Sequence, residues 1–209
     1  MLVYVDNAAT TPMDVQVIEK MTEVMHDCYG NASAIHGQGR KAKAVVEMAR
    51  KDIAKLLNCT SSELIFTGSG TEADNMALRC AVNDLEVKHI ITSEIEHKAV
   101  LDTAKELQAK NMAQVSYVKL DEYGRADLED LMKLAELNPG SLISLMHANN
   151  EIGTLNDIAA ISKIARANGC YFHTDTVQTI GHYPMDLKEL DVDFMACSAH
   201  KFHGPKGVG

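Results

Sequence analysis

The chain has 209 residues, of which 46% are hydrophobic and 23% charged, a composition typical of a globular protein rather than a disordered one. Its formal charge of −9 at pH 7 argues against nucleic acid as a partner, because such binding depends on clustered lysine and arginine. No apolar run approaches the roughly 18 residues of a membrane-spanning helix, and no targeting segment follows Met1, so we expect a cytoplasmic protein that does not bind membranes.

Short β-rich segments alternate with segments of helical period along the chain. The apolar runs predict strands over residues 2–5, 63–66, 89–92, 115–120, 142–146, 170–174 and 193–197. The helical period predicts helices over residues 14–27, 40–57, 71–84, 97–109, 127–135 and 157–167. Residues 60–63 have the pattern of a capping box, which we expect to lead into a strand rather than a helix. The alternation predicts an α/β fold with a mostly parallel sheet.

The cysteines and histidines predict neither disulfides nor a metal site. The five cysteines are widely spaced and form no CxxC pair, so we interpret them as reduced thiols that pack as small hydrophobic side chains. The nine histidines form no HExxH or HxH pattern, and no cluster has the spacing of zinc ligands.

Polar residues follow several predicted strands, and ligands of an open α/β sheet bind at the carboxyl ends of its strands. The Gly-rich segment 67–72 leads into a helix whose free N–H groups can hold a phosphate, although a plain strand-to-helix turn is the alternative. His97 follows the strand at 89–92, and a structural or surface role is its alternative. The polar run 147–153 follows the strand at 142–146, where burial is costly unless the side chains are satisfied or used.

Asp175 and Lys201 follow the last two predicted strands. We expect Asp175 to be partly buried and to need a cationic or hydrogen-bonding partner; an arginine is the structural alternative. Lys201 lies between an apolar strand and Gly204-Pro205, where loss of solvent lowers the pKa of the amine and makes it nucleophilic. Pyridoxal phosphate needs a lysine for a Schiff base, a carboxylate at its pyridine nitrogen and donors for its phosphate. The combination therefore predicts a pyridoxal phosphate site.

Seven segments of the chain resemble the cysteine desulfurase family, the NifS/IscS-like group of the class V aminotransferases among fold-type I enzymes. In chain order they are YVDNAATTP (4–12), GNASAIHGQGR (30–40), IFTGSGTEADN (65–75), SEIEHKAVL (93–101), SLMHANNEIGTLNDI (144–158), FHTDTVQTIGHYPMD (172–186) and SAHKFHGPKGVG (198–209). Ala32 stands where the family commonly has proline, and Gly68-Ser69-Gly70 replaces a Ser-Gly-Ala type of loop. Neither departure removes a functional side chain.

The resemblance implies a role for each matching residue. Lys201 would form the Schiff base, Asp175 would pair with the pyridinium nitrogen, and His97 would stack on the ring and serve in proton transfer. Gln178 would contact the ring hydroxyl, and Asn150 would lie near the cofactor oxygen and the substrate carboxylate. The phosphate would be held by Gly70, Thr71, Ser198 and His200.

The resemblance also implies the fold, the activity and the partners. Residues 1–209 would form the pyridoxal phosphate-binding large domain, three layers around a seven-stranded, mostly parallel sheet, without the family's C-terminal small domain. The activity would remove sulfur from L-cysteine, giving L-alanine and an enzyme persulfide for iron–sulfur cluster assembly or another sulfur transfer. The partners would be L-cysteine, a second copy in a homodimer, and a sulfur acceptor or iron–sulfur scaffold protein.

The end of the sequence suggests a longer protein. Residues 204–209 read as a turn that enters another strand, so we expect this chain to be an N-terminal part. The family's nucleophilic cysteine and its arginine for the substrate carboxylate would lie beyond residue 209, and we expect the 209-residue chain alone to be inactive. Two alternatives stay open: another class V enzyme, such as a selenocysteine lyase or an aminotransferase, and a non-catalytic cofactor-binding fragment or scaffold.

Overall fold

The computed structural model describes residues 3–209. Its helices are α1 (Val15–Asp27), α2 (Gly37–Leu57), α3 (Gly70–Asn83), α4 (Lys98–Ala109), α5 (Leu128–Leu137) and α6 (Ile158–Ala167). Its strands are β1 (His89–Thr92), β2 (Gln114–Tyr117), β3 (Leu142–Ser144), β4 (Tyr171–Asp175) and β5 (Phe194–Ala196), and two short 3-10 helices cover Ser61–Glu63 and Ala199–Lys201. The six predicted helices are confirmed. Within residues 3–209, none of the helices is both long and apolar enough to cross a membrane.

The five strands form one parallel sheet in the order β2-β1-β3-β4-β5. β3 lies at the centre and is completely buried. Parallel sheets are covered on both faces, which explains why these strands read as nearly continuous apolar runs in the sequence. The predicted α/β fold with a parallel sheet is confirmed.

Alternate side chains of the strands enter two separate cores. Ile91 and Ile143 pack on one face of the sheet against α5 and α6. Ile90 and Leu142 pack on the other face against α3 and α4. This alternation follows from the two-residue period of a β-strand. The result is three layers, with helices on both sides of the sheet.

Two of the seven predicted strands are absent from the described residues. In the run at 2–5, residue 2 lies outside the described residues, and residues 3–5 form no strand. The run at 63–66 is also irregular, and Ile65 within it is 62% exposed. The capping box is present, with Thr60 N donating to Glu63 Oε2 at 2.7 Å, but it closes a 3-10 helix, so the expectation that it leads into a strand is wrong. A short apolar run does not by itself distinguish a strand from an irregular segment.

The strand order brings the carboxyl ends of β1, β3, β4 and β5 to one edge of the sheet. The start of α3 faces this edge, because α3 packs against β4 and β5. The segment before α1 crosses the same edge: Thr11 N donates to the His200 carbonyl at 2.9 Å, and Asp14 N donates to the His203 carbonyl at 3.0 Å. The two ends of the sequence therefore meet where the candidate residues lie.

Candidate active site

The start of α3 forms one wall of a cavity. Ser69 caps the helix by accepting a first-turn backbone N–H at 3.1 Å, and the N–H groups of Gly70 and Thr71 begin the helix. A side chain would not fit at Gly70, since its Cβ would lie 2.9 Å from Val177 Cγ2 and 3.2 Å from Ser198 Cβ. First-turn N–H groups have no partner within the helix and lie at the positive end of its dipole, so this wall favours an anion.

Two further hydrogen-bonding side chains face this wall from the segment after β5. Ser198 is buried, and the Nδ1 atom of His200 is hydrogen-bonded to Thr10 Oγ1 at 3.0 Å. Burial, followed by the positive charges of Lys201 and Lys206, lowers the pKa of His200. A hydroxyl, an imidazole and backbone N–H groups therefore meet at one end of the cavity, and this set of groups can hold a phosphate.

Asp175 ends β4 and lines the same cavity, with 5% of its surface exposed. Its Oδ1 accepts a hydrogen bond from Val177 N at 2.8 Å. Burial, followed by the negative charge of Asp74, raises the pKa of Asp175 to about 7. The hydrogen bond from Val177 N and the charges of His173 and Lys201 lower the pKa of Asp175. The arginine ion pairs of the described residues go to other carboxylates, so the alternative of a structural arginine partner is wrong.

Lys201 ends the 3-10 helix that follows β5, and its side chain reaches the cavity. Its Nζ donates to the carbonyl of Ala8, in the segment that crosses this edge of the sheet. Burial lowers the pKa of Lys201, and the charge of Asp175 acts against that effect. The following turn is tight, since a Cβ at Gly204 would lie 2.7 Å from the Cβ of Ala199. A lysine that gives up its proton more readily than a free one is suited to attack an aldehyde.

Three more of the predicted residues line the cavity from loops. His97 caps α4, its Nδ1 accepting a first-turn backbone N–H at 3.1 Å, and its ring remains exposed. Gln178 Nε2 donates to the Ala8 carbonyl at 3.0 Å, and Asn150 Nδ2 donates to Glu151 Oε1 at 2.8 Å. The Ala8 carbonyl therefore accepts hydrogen bonds from two candidate residues, Gln178 and Lys201.

One cavity of about 210 Å³ brings together every residue that the sequence predicted for the site. These residues are Gly70, Thr71, His97, Asn150, Asp175, Gln178, Ser198, His200 and Lys201. The cavity offers an anion-binding wall, a buried carboxylate and an amine. A phosphorylated aldehyde with a basic ring nitrogen presents the matching groups, so the residues present fit pyridoxal phosphate.

Four lining residues were not among the predicted site residues: Ser69, which belongs to the predicted Gly-rich segment 67–72, and Asp74, Met146 and Val177. Asp74 is the one that carries charge, and it is only 1% exposed. It lies on the inward face of α3, three and four residues before the buried Ala77 and Leu78. In the sequence, Asp74 could have been noticed as a charged residue on the apolar side of the helix predicted over residues 71–84.

A second cavity of about 270 Å³ adjoins the first. It is lined by Asn7, Ala8, Thr11, Gln178, His182, Lys201 and His203. Gln178 and Lys201 line both cavities, so they lie between them. The N-terminal segment contributes the backbone carbonyl of Ala8, which accepts hydrogen bonds from Gln178 and Lys201. A pattern of side chains in the sequence could not indicate the position of a backbone carbonyl.

Glu96 is buried beside the site and was not predicted. Ser93 Oγ is hydrogen-bonded to one carboxyl oxygen at 2.7 Å, and Met146 N donates to the other at 2.9 Å. Burial raises the pKa of Glu96 to about 8, against the effect of these hydrogen bonds. Glu96, the residue before His97, thereby connects its own loop to the segment that follows β3.

No three His, Cys, Asp or Glu side chains among residues 3–209 group closely enough to hold a metal ion. All five cysteines lie in the described part of the chain, and none lines either cavity. Cys170 is buried, whereas the other four are partly exposed. Burial raises the pKa of the Cys197 thiol, which lies between β5 and Lys201 in the sequence.

Comparison of the sequence with known proteins identifies one family. Residues 3–209 match the family model described as aminotransferase class-V. The chain is 47% identical over 209 residues to a cysteine desulfurase IscS of Dictyoglomus turgidum (strain DSM 6724 / Z-1310), covering 99% of this chain and 52% of that protein. The chain thus spans about half the length of the curated relatives it matches.

Solved structures with the same fold give a similar result. A NifS-like protein superposes with a TM-score of 0.95 at 43% identity, covering 100% of this chain and 58% of that one. A structure described as SspA in complex with cysteine has a TM-score of 0.94 at 34% identity, covering 100% of this chain and 60% of that one. Both superpositions cover the whole of this chain, so they include every residue that lines the cavity.

Proposed function

The chain belongs to the class V aminotransferase family, and from this premise we propose that residues 1–209 form the pyridoxal phosphate-binding domain of a cysteine desulfurase. The observation that carries the proposal is the cavity in which Lys201, Asp175 and the start of α3 meet. Similarity to a cysteine desulfurase along the whole chain supports this activity over other activities of the family. In the proposed reaction the C–S bond of L-cysteine breaks and an enzyme thiol receives the sulfur as a persulfide. The hydrogen of the substrate thiol group stays on the outer sulfur of the persulfide. The proton of the accepting thiol ends on the former Cβ of the substrate, which becomes the methyl group of L-alanine.

Opposite ends of the cavity would hold opposite ends of the cofactor. The amine of Lys201 would attach to the aldehyde carbon, and the amide of Gln178 would contact the ring hydroxyl. The phosphate would accept hydrogen bonds from the backbone and side chains of Gly70, Thr71, Ser198 and His200. The close approach of the backbone at Gly70 supports this assignment, because a side chain there would collide with the opposite wall.

The remaining residues would act on protons and on the substrate. When bound, pyridoxal phosphate supplies an electron-withdrawing ring that stabilises negative charge at the substrate Cα. Asp175 would keep a proton at the ring nitrogen, since a buried carboxylate is stabilised by a cationic N–H group. Lys201 would move the proton at the substrate Cα, for which its lowered pKa is suited. His97 would lie against the ring and transfer protons, and Asn150 would orient the substrate carboxylate.

The thiol that receives sulfur would come from outside the two cavities. The chain's five cysteines line neither cavity, and burial raises the pKa of Cys197, which reduces its thiolate fraction at neutral pH. We therefore propose that a cysteine outside residues 3–209 reaches the substrate sulfur. That cysteine would then pass its sulfur to an acceptor or an iron–sulfur scaffold protein in the cytoplasm.

The proposal includes a homodimer. α1 buries none of its residues and exposes the apolar side chains of Val15, Ile18 and Met25. An exposed apolar face of this kind is typical of an interface, and a second copy of the chain is the occupant we propose. Sedimentation of the purified chain should give the mass of a dimer, and a monomeric mass at every concentration would contradict this part of the proposal.

Reductive trapping tests the proposed attachment point. After addition of pyridoxal phosphate and borohydride, peptide mass spectrometry should locate the cofactor on Lys201. Lys206, an exposed lysine five residues further on, is the matched control. Lys201→Ala should abolish trapping and Lys206→Ala should preserve it; a label on Lys206 or spread over surface lysines would contradict the assignment.

A second assay tests the activity of the protein that contains this domain. Alanine release should be measured with L-cysteine and with L-selenocysteine as substrates. A desulfurase releases alanine and transferable sulfur from L-cysteine. Release of alanine from L-selenocysteine alone would favour a selenocysteine lyase.

A further inference from the structure

A buried acid–base pair lies beside the cavity and has no part in the chemistry proposed above. Asp74 Oδ1 and His173 Nε2 lie 3.3 Å apart, and the two residues are 1% and 0% exposed. The two atoms are not aligned for a hydrogen bond with each other, and neither has a hydrogen-bond partner elsewhere among the described residues. On its other side, His173 Nδ1 is hydrogen-bonded to Ser144 Oγ at 2.9 Å, and Ser144 is completely buried. One nitrogen of the imidazole is thus held by a hydrogen bond, and the other faces the carboxylate of Asp74.

The pair is connected to Asp175 by two elements of the fold. His173 and Asp175 are two residues apart on β4, so their side chains leave the sheet on the same face. Asp74 lies on α3, four residues after Gly70, and lines the cavity together with Asp175. Three ionisable groups therefore occupy the region between α3 and β4.

The charges of the pair act on Asp175 in opposite directions. Two neighbouring buried carboxylates are unfavourable unless a proton or a cation lies between or beside them. Accordingly, the negative charge of Asp74 raises the pKa of Asp175, and His173 lowers it. Asp74 alone would favour the neutral form of Asp175, and the neighbouring imidazole of His173 limits this effect.

From this geometry we propose that Asp74 and His173 are positioning residues that together fix the charge of Asp175 opposite the cofactor's ring nitrogen. The inference rests on the proposed function, because that function makes the ring nitrogen the partner of Asp175. The pair would act through Asp175 and would not contact the reacting atoms of the substrate.

Other ionisable groups also face Asp175. Lys201, from the 3-10 helix after β5, lowers its pKa. Glu96, from the segment before α4, and Cys197, directly after β5, are affected by the negative charge of Asp175 and also by that of Asp74. The Asp74 variant therefore reports on the pair together with the response of Glu96 and Cys197, and the His173 variant is a second, independent probe of the pair.

An analogue of pyridoxal phosphate with CH in place of the ring nitrogen provides the probe. It offers Asp175 neither a proton nor a positive charge, so it binds when Asp175 is itself protonated. Its Kd should therefore rise about tenfold per pH unit above the pKa of Asp175. The second ionisation of the phosphate, near pH 6, also affects binding but is common to every variant.

The Kd of the analogue and of pyridoxal phosphate should be measured against pH for the 209-residue chain and for three substitutions. Asp74→Asn should move the onset of the rise in the analogue's Kd to lower pH by about one unit, the size of a neighbouring-charge effect. His173→Gln should move the onset to higher pH. The matched control, Asp84→Asn, neutralises an exposed carboxylate just after α3 and should move it in neither direction.

Opposite shifts in the two variants would support the inference, since damage to packing alone weakens binding at all pH values without moving the onset. Unchanged onsets, or shifts in the same direction, would overturn it. If His173→Gln does not fold, the double variant with Asp74→Asn should recover folding, because the unpaired carboxylate is gone; an unfolded double variant would overturn the pairing. Failure of the unsubstituted chain to bind pyridoxal phosphate at any pH would instead overturn the proposed function, and this inference with it.

Discussion

Exchange of Glu96 for glutamine should stabilise the protein at alkaline pH. Glu96 is 5% exposed, and its two carboxyl oxygens contact Ser93 Oγ and Met146 N. In the protonated acid, one oxygen can donate to the hydroxyl while the other accepts the backbone N–H. Glutamine reproduces this arrangement, with its Nε2 as the donor and its Oε1 as the acceptor. Glu96→Gln is therefore a copy of the neutral acid that cannot ionise.

The size of the effect follows from the raised pKa of Glu96. Its pKa rises from an ordinary 4.5 to about 8 in the folded chain, mainly because of burial. The fold holds this proton more tightly than the unfolded chain does, so its stabilising contribution is complete below pH 4.5 and is lost as the pH rises through 8. At 1.36 kcal/mol per pKa unit, the whole shift corresponds to about 5 kcal/mol as an upper value. That is a large part of the 5–15 kcal/mol by which domains are usually stable.

Urea unfolding at several pH values measures the difference. Near pH 5, the free energies of unfolding of the parent chain and Glu96→Gln should agree to within about 1 kcal/mol, and the variant should become progressively more stable towards pH 9. Glu94→Gln is the matched control, because its carboxylate is exposed on the same loop and surface substitutions usually change stability by less than about 0.5 kcal/mol. A variant that is destabilised equally at pH 5 and pH 9 would refute the argument, since it would mean that Glu96 is ionised and needed as a carboxylate.

Two other substitutions test the cavity itself. The raised pKa of Asp175 implies a stabilising contribution that is complete below pH 3.8 and lost as the pH rises through about 7, so Asp175→Asn should be more stable than the parent chain at pH 8 by thermal unfolding. The same variant should bind pyridoxal phosphate at least about tenfold more weakly by fluorescence titration, because an amide cannot neutralise the ring N–H; unchanged affinity would contradict the role of Asp175. Gly70→Ala should lower the free energy of unfolding by about 1–3 kcal/mol, because its Cβ would lie 2.9 Å from Val177 Cγ2. Unchanged stability of Gly70→Ala in urea would contradict the close approach of the two walls.

The sequence predicted all five strands of the sheet, including its two edge strands. The apolar run at 142–146 contains β3, which the sheet covers completely, and the run at 170–174 lies over β4. The run at 63–66 has similar residues but no neighbouring strand, and Ile65 is left exposed. Whether such a run becomes a strand depends on its pairing with strands that are distant in sequence. A local pattern of residues carries no information about that pairing.

The candidate site could be predicted as far as it depends on residues at strand ends. Asp175 and Lys201 follow neighbouring parallel strands, whose carboxyl ends necessarily meet at one edge. Glu96 was missed because its importance depends on burial by other elements, which leaves no local signal, whereas Asp74 was missed although its place on the apolar side of α3 was such a signal. The Ala8 carbonyl was missed for a different reason: a backbone group reaches Lys201 only because the N-terminal segment crosses over the end of the sequence.

A crystal structure of the chain grown with pyridoxal phosphate would test the central claim most directly. We expect continuous electron density between the cofactor and Nζ of Lys201, the ring nitrogen beside Asp175, and the phosphate against the start of α3. Density that joins the cofactor to Lys206, or a phosphate bound in the second cavity beside His182, would contradict the account.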